Sequence, residues 1–102
     1  MNRVARYSDF IDCDLQDIVR YLSQRDPRVG SALLDALKES VAFLTNNPEA
    51  GRGSLKHLPS DWRSWHIHGF KRYLILYRLE GNDLVVGRVI QGSRDLRGLG
   101  NR

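Results

Sequence analysis

The chain has 102 residues, 41% of them hydrophobic, enough for one core and one domain over 1–102. Its formal net charge is +4, carried by thirteen arginines and only three lysines, Lys38, Lys56 and Lys71. Cys13 stands alone, which excludes a disulfide framework and a cysteine-rich zinc site, and no apolar run reaches the ~20 residues of a membrane span.

Residues 3–8 predict a short strand. Arg3 and Arg6 lead into Asp9, Asp12 and Asp14, not into the apolar stretch that a secretory signal needs. Phe10, Ile11, Leu15, Ile18, Val19 and Leu22 then recur at helical spacing after Ser8 and Asp9. Asp12 and Asp14 suit the positive end of that helix. Ser23-Gln24-Arg25-Asp26-Pro27 ends it and opens the next, with Asp26 as cap and Pro27 at the first helical position. Val29, Leu33, Leu37, Val41 and Leu44 form the second apolar stripe, with Leu34 and Ala36 beside it, and Asn46-Asn47-Pro48 stops it. So short a linker predicts an antiparallel helical hairpin.

Residues 48–61 are turn-rich, and the hydrophobic period then changes to two. Trp62 to His68 predicts a strand. Tyr73, Ile75, Tyr77 and Leu79 alternate with Leu74, Leu76 and Arg78, so the next strand is apolar on both faces at its centre. Glu80-Gly81-Asn82-Asp83 signals a hairpin turn, and Leu84 to Gln91 gives the last strand. Gly92 to Arg102 is a Gly-rich, basic tail with at most one helical turn. The expected fold class is α+β, ordered β-α-α-β-β-β, with the helical hairpin packed on a small, mainly antiparallel sheet.

Charge is unevenly placed. Residues 1–51 hold six basic and eight acidic groups, residues 52–102 ten and four. The second half is therefore the candidate face for an acidic partner or a nucleoprotein machine. Several chemistries have no support. Gly51-Arg52-Gly53-Ser54 lacks the Gly-Lys-Ser/Thr ending and preceding strand of a phosphate loop. No nucleophile elbow is present. Carboxylates in the basic half are limited to Asp61, Glu80, Asp83 and Asp95. His57, His66 and His68 are expected in structural or surface roles, with no metal and no cofactor. What stands out is basic and aromatic: Trp62, Arg63, Trp65, Lys71, Arg72, Tyr73, Tyr77, Arg78 and Arg88. Such side chains anchor interfaces or stack on bases, and Trp65, Tyr73 and Tyr77 are read first as packing residues.

Four segments carry a family resemblance. Asp14-Leu15-Gln16-Asp17-Ile18-Val19-Arg20-Tyr21-Leu22 resembles the first helix of ParE toxins. Leu44, Pro48 and Gly51 match that family's spacing after the second helix. Phe70 to Tyr77 is similar to its central strand, and Arg88 to Leu96, ending Arg94-Asp95-Leu96, to its C-terminal signature. The resemblance implies a RelE/ParE-like fold and the toxin of a bacterial type II toxin–antitoxin module, acting in the cytoplasm. It implies a ParD-like antitoxin in a hetero-oligomer, whose C-terminal segment lies across the toxin. It also implies DNA gyrase as the target, no membrane partner and no direct sequence-specific binding of nucleic acid. The candidate target-binding residues are Arg63, Arg72, Arg88, Arg94 and Arg97; the candidate antitoxin-binding residues are Leu22, Leu33, Leu37, Trp62 and Trp65.

The RelE relatives of that family cut mRNA on the ribosome, which requires an activated 2′-hydroxyl, a stabilised phosphate and a protonated leaving oxygen. The resemblance places their central-strand arginine at Leu74, with Arg72 nearby, and finds no Tyr or His after Arg94. Lys56 and Arg63 are the only stand-ins for their further basic set. The chain is therefore read as a non-enzymatic toxin with no catalytic residues. A ribosome-dependent endoribonuclease is the alternative, and an interaction module with weak or lost toxicity the second alternative. Arg94→Ala is expected to relieve growth inhibition more than Arg25→Ala, because Arg94 lies in the signature and Arg25 in a linker. Equal toxicity of the two variants in a growth assay removes Arg94 from the site.

Overall fold

The computed structural model describes residues 3–53 and 58–92. Its elements follow the expected order: β1 (Ala5–Tyr7), α1 (Ile11–Ser23), α2 (Pro27–Asn46), β2 (Arg63–Ile67), β3 (Phe70–Glu80) and β4 (Asp83–Gln91). The tail with Arg94 and Arg97, and the loop residues Lys56 and His57, lie outside the described residues.

The helix boundaries have local causes. The Asp26 carboxylate accepts the Arg28 N–H at 3.0 Å, and Pro27 opens α2. At the start of α1 the cap is weaker. Phe10 occupies the cap position without a side-chain bond to the helix, while its N–H donates to Ser8 Oγ at 3.3 Å. Phe10 is thus not part of the buried stripe: it is 61% exposed, because the helix begins after it. The two helices approach closely at Gly30, where a Cβ would crowd Ser23 and Val19. Val29, at the mouth of the hairpin, is only half-buried, and Ser40 takes the place on the buried face that the apolar stripe left open.

The sheet runs β1-β4-β3-β2. β2, β3 and β4 form the antiparallel meander, and β1 adds to β4 in parallel, with Ala5 opposite Leu84 and Tyr7 opposite Val86. Gly81, at φ +60°, makes the two-residue turn into β4. Arg3 clamps two ends together, donating to the Thr45 carbonyl at 2.8 Å near the end of α2 and to the Asn82 carbonyl at 3.0 Å.

Each sheet face carries its own apolar cluster. Ile11, Ile18, Leu33, Leu37, Val41 and Leu44 of the helices pack on Tyr73, Ile75, Tyr77, Leu84, Val86 and Val89. The opposite face holds a smaller cluster, Leu74, Leu76 and Ile90, partly roofed by Leu58 and Trp62. That is why β3 is apolar on both faces at its centre.

Tyr77 ties the helices to the sheet. Fully buried, it donates its hydroxyl to the Pro48 carbonyl at 2.8 Å and accepts the Gly51 N–H at 2.8 Å. A Cβ on Gly51 would overlap the phenol ring. The Leu44, Pro48, Gly51 spacing therefore has a physical basis: a core anchor, a carbonyl for the phenol, and a backbone that approaches it bare. Burial pushes the Tyr77 hydroxyl above its ordinary pKa, against the opposing pull of the Gly51 N–H and the Arg63 guanidinium. Tyr77→Phe strands a buried N–H and a carbonyl, and is expected to lower the unfolding free energy in urea by about 1–3 kcal/mol. The raised pKa fixes the sign of a second effect. The stabilisation is complete below pH about 10, where unfolded tyrosine is neutral, and is lost as pH rises beyond it. Stability of the Phe variant is expected to fall less steeply above pH about 10 than that of the parent.

Candidate functional site

Two of the concave surfaces on the described residues bear on binding. The first is a groove of about 360 Å³ on the sheet face turned away from the helices. β3 contributes Leu76 and Arg78, β4 contributes Val85 and Arg88, and Trp62 and Phe10 wall the groove from the entries to β2 and α1. Trp62 comes down on β4 because Gly87 has no side chain there; a Cβ would overlap the indole. Gly87 is also the extra residue where the β3–β4 register steps from Leu76↔Arg88 to Tyr77↔Val86.

Both groove arginines are backed by a ring. The Arg78 guanidinium sits 5.7 Å from the Trp62 ring centroid, and that of Arg88 5.0 Å from the Phe10 centroid. Both are also ion-paired. Arg78 donates to Glu80 at 2.8 Å, and this bond, helped by Arg6, holds the Glu80 carboxyl below its usual range. Arg88 forks onto Asp14 at 2.8 and 2.9 Å, and the same carboxylate accepts the Val89 N–H at 3.0 Å. With the Asp14 side chain 10% exposed and the Arg88 side chain 24%, this pair is shielded from solvent far better than the surface pairs. None of the described groove-lining residues is an Asp, Glu, His, Lys, Cys or Tyr.

The second surface is a cleft of about 470 Å³ between the hairpin tip and the β2–β3 turn. Tyr21 and Leu22 at the end of α1, Arg25 from the connection between α1 and α2, and Val29 on α2 face residues 69–73 across it. The β2–β3 ladder passes from His66↔Leu74 directly to Ile67↔Phe70, so Lys71, Arg72 and Tyr73 bulge from it. Lys71 and Arg72 are exposed, whereas Tyr73 is 6% exposed. Burial pushes the Tyr73 hydroxyl up, Tyr21 adds to the shift, and Arg72 opposes it.

The residues expected to bind partners are distributed as follows. Leu33 and Leu37, at 0% and 4% exposure, are in the core beneath the sheet and present no surface to an antitoxin. The stripe that marks them as apolar is the stripe the fold needs for its own core. Leu22 lines the cleft, and Trp62 the groove. Trp65 lies on the edge strand with its ring stacked on exposed Phe43, centroids 5.3 Å apart. Arg63 is occupied as a clamp: its Nη1 donates to the Gly51 carbonyl at 2.8 Å and more weakly to that of Glu49. Arg88 is held by Asp14 within the groove, and Arg72 lines the cleft, so the two do not share a surface. Arg94 and Arg97 fall outside the described residues. His66 and His68, two apart, would share a face of a regular strand, but β2 ends at Ile67. His66 Nδ1 sits 2.7 Å from the Lys71 carbonyl, and the His68 N–H donates to Ser40 Oγ at 3.4 Å. Among the described residues no group of three or more His, Cys, Asp or Glu is placed to hold a metal ion.

Comparison with known proteins puts these surfaces in context. A family model described as the ParE toxin of the type II toxin–antitoxin system parDE matches residues 6–96. The chain belongs to the ParE toxin family. Solved structures share its fold at low identity. A chain of the chromosomal ParDE system from P. aeruginosa superimposes with a TM-score of 0.75 at 15% identity, covering 89% of this chain and 97% of that one. A chain of the E. coli DinJ–YafQ toxin–antitoxin complex superimposes with a TM-score of 0.61 at 18% identity, covering 92% and 97%. No curated protein matches the chain in sequence.

In this ParE toxin two groove contacts are not legible in the sequence. The helix dipole accounts for Asp14 only in part; in the structure it also orients Arg88 and closes the β4 edge at Val89. Its signal in the sequence was a carboxylate set between Ile11, Leu15 and Ile18, beside the buried stripe. Phe10, which falls in the apolar spacing of the first helix, lies under the Arg88 guanidinium and not in the core. Asp14→Ala leaves Arg88 and the Val89 N–H without this acceptor. Since a quarter of the Arg88 side chain still reaches water, the expected loss is about 2 kcal/mol, below that of a fully buried pair. Asp14→Asn is expected to lose less, because its amide oxygen still accepts from Val89. Urea midpoints of the two variants check both the size and the order.

Proposed function

We propose that this ParE-type toxin disables DNA gyrase without enzymatic chemistry and is neutralised in the cytoplasm by a ParD-like antitoxin, with which it forms a hetero-oligomer. One observation supports the non-enzymatic reading above others. The groove on the open sheet face is a binding surface of arginines, aromatic rings and aliphatic side chains, and its described lining holds no group that exchanges a proton near neutral pH. Ser8 is its one hydroxyl, and that hydroxyl is spent on the Gly87 carbonyl. A surface of this kind suits an interface, in which ring-backed arginines are strong anchors. It does not suit phosphodiester cleavage, which needs a proton acceptor and donor in reach of the reacting oxygens.

The reading is consistent with family membership over residues 6–96. Among the described residues no helix is long and apolar enough to cross a membrane. The decisive experiment is a gyrase supercoiling assay with purified toxin, run with and without the co-expressed antitoxin, beside a translating extract probed for mRNA cleavage. Supercoiling is expected to stop with toxin alone and to recover with antitoxin, while mRNA stays intact. Cleavage at ribosome-bound codons with supercoiling unaffected overturns the proposal in favour of an endoribonuclease. Inactivity in both assays with antitoxin binding retained makes the chain an interaction module.

A further inference from the structure

The cleft at the hairpin tip has no part in the argument above. It brings three cationic side chains to one concavity: Arg25 from the connection between α1 and α2, and Lys71 and Arg72 from the β3 bulge. Among the described residues none of the three has a side-chain hydrogen bond, an ion pair or a ring contact, and no described Asp or Glu lines the cleft. Most of the other described arginines are engaged: Arg3 and Arg63 on backbone carbonyls, and Arg6, Arg28, Arg78 and Arg88 on carboxylates. Arg20 and Arg52 also lack a side-chain partner among the described residues, but neither lines this cleft, where three such cations meet. Unpaired cations converging on one hollow repel one another, so the arrangement favours an anion between them.

The rest of the lining narrows the kind of anion. Tyr21 is 58% exposed, and Phe70 stands half-buried beside it, so ring surface is offered next to the charges. Tyr21 and Tyr73 add hydroxyls that donate. A concave site that combines unpaired arginine and lysine with accessible aromatic rings matches the requirements of a single-stranded nucleic acid, whose phosphates meet the cations while its bases stack on the rings. A volume of about 470 Å³ accommodates a nucleotide-sized group. Carboxylates would satisfy the cations equally well but leave the exposed ring of Tyr21 without a planar partner.

We infer that this cleft binds single-stranded nucleic acid, gripping the phosphodiester backbone through Arg25, Lys71 and Arg72 and stacking a base on Tyr21. The contact is independent of base sequence, since nothing in it is arranged to read a base edge. It goes beyond the gyrase reading and is tested without gyrase.

The test is fluorescence anisotropy of a labelled single-stranded oligonucleotide titrated with the full chain at several salt concentrations. Three phosphate contacts predict a slope of log K against log salt of about −2. The double substitution Lys71→Glu with Arg72→Glu is expected to weaken binding at least about tenfold and to flatten that slope. Tyr21→Ala is expected to weaken it about fivefold or more while leaving the slope unchanged, the signature of lost stacking. The substituted side chains, Tyr21, Lys71 and Arg72, are exposed and outside the buried clusters, and circular dichroism checks that each variant is folded. Arg28→Glu, an exposed site outside the cleft, serves as the control with parental binding. Binding that ignores the cleft substitutions, or that falls equally with Arg28→Glu, overturns the proposal. So does polyglutamate displacing the oligonucleotide on equal terms with Tyr21→Ala affecting neither, which assigns the cleft to an acidic protein segment. Supercoiling inhibition can persist through any of these results, so failure here is distinguishable from failure of the gyrase reading.

Discussion

The structure depends on how a helical hairpin is held to a sheet it does not neighbour in sequence. The link is the Tyr77 hydroxyl, buried in mid-strand and bonded on both sides to the connection that leaves α2. A phenol in the core is costly unless its oxygen is satisfied. Here one carbonyl and one N–H satisfy it, and both belong to groups that would otherwise themselves be buried without partners. The bare backbone of Gly51 allows the approach, Leu44 holds the end of the helix in the core, and Arg63 completes the clamp from β2. The position of the edge strand, and of everything that follows it, is set by this contact.

From that frame, the arginines separate by what they touch. Some finish the fold: Arg3 fastens the end of α2 to the β3–β4 turn, Arg63 fastens the loop, and Arg88 with Asp14 fastens α1 to β4. Among the described residues Arg25 and Arg72 at the hairpin tip have no side-chain partner, nor do Arg20 and Arg52. Arg88 belongs to both worlds, because the carboxylate that fixes it also aims it into the groove. A guanidinium held by a carboxylate on one side and a ring on the other loses little entropy on binding. That is the property the proposed partner-binding role needs of this surface.

A toxin of this size has few residues to spare, and the two sheet faces divide the work. The helix-covered face builds stability, with Leu33, Leu44, Ile75 and Tyr77 all at 0% exposure. The other face keeps a thin apolar cluster under Trp62, and its grooved surface is open to a partner. Gly87 is the joint between these roles. Its absent side chain lets the indole down onto the sheet, and the bulge it creates turns Arg88 to the groove side.

The sequence by itself determined the element order, the hairpin, the meander and the family, because each rests on local signals: a period of 3.6 or 2, an Asp-Pro helix start, a Gly turn, and short motifs in order. It also showed β3 to be apolar on both faces, which foretold a cluster on each side of the sheet. It did not reveal the parallel pairing of β1 with β4, nor which arginines are free. A three-residue strand leaves no periodic trace of its partner, and an arginine's freedom often depends on a carboxylate or carbonyl far along the chain, as with Arg63 and Gly51, 12 residues apart, and Arg88 and Asp14, 74 apart. The same limit explains Leu33 and Leu37. Periodicity reports that a helix face is apolar, but only tertiary packing decides whether the chain's own sheet or another molecule covers it.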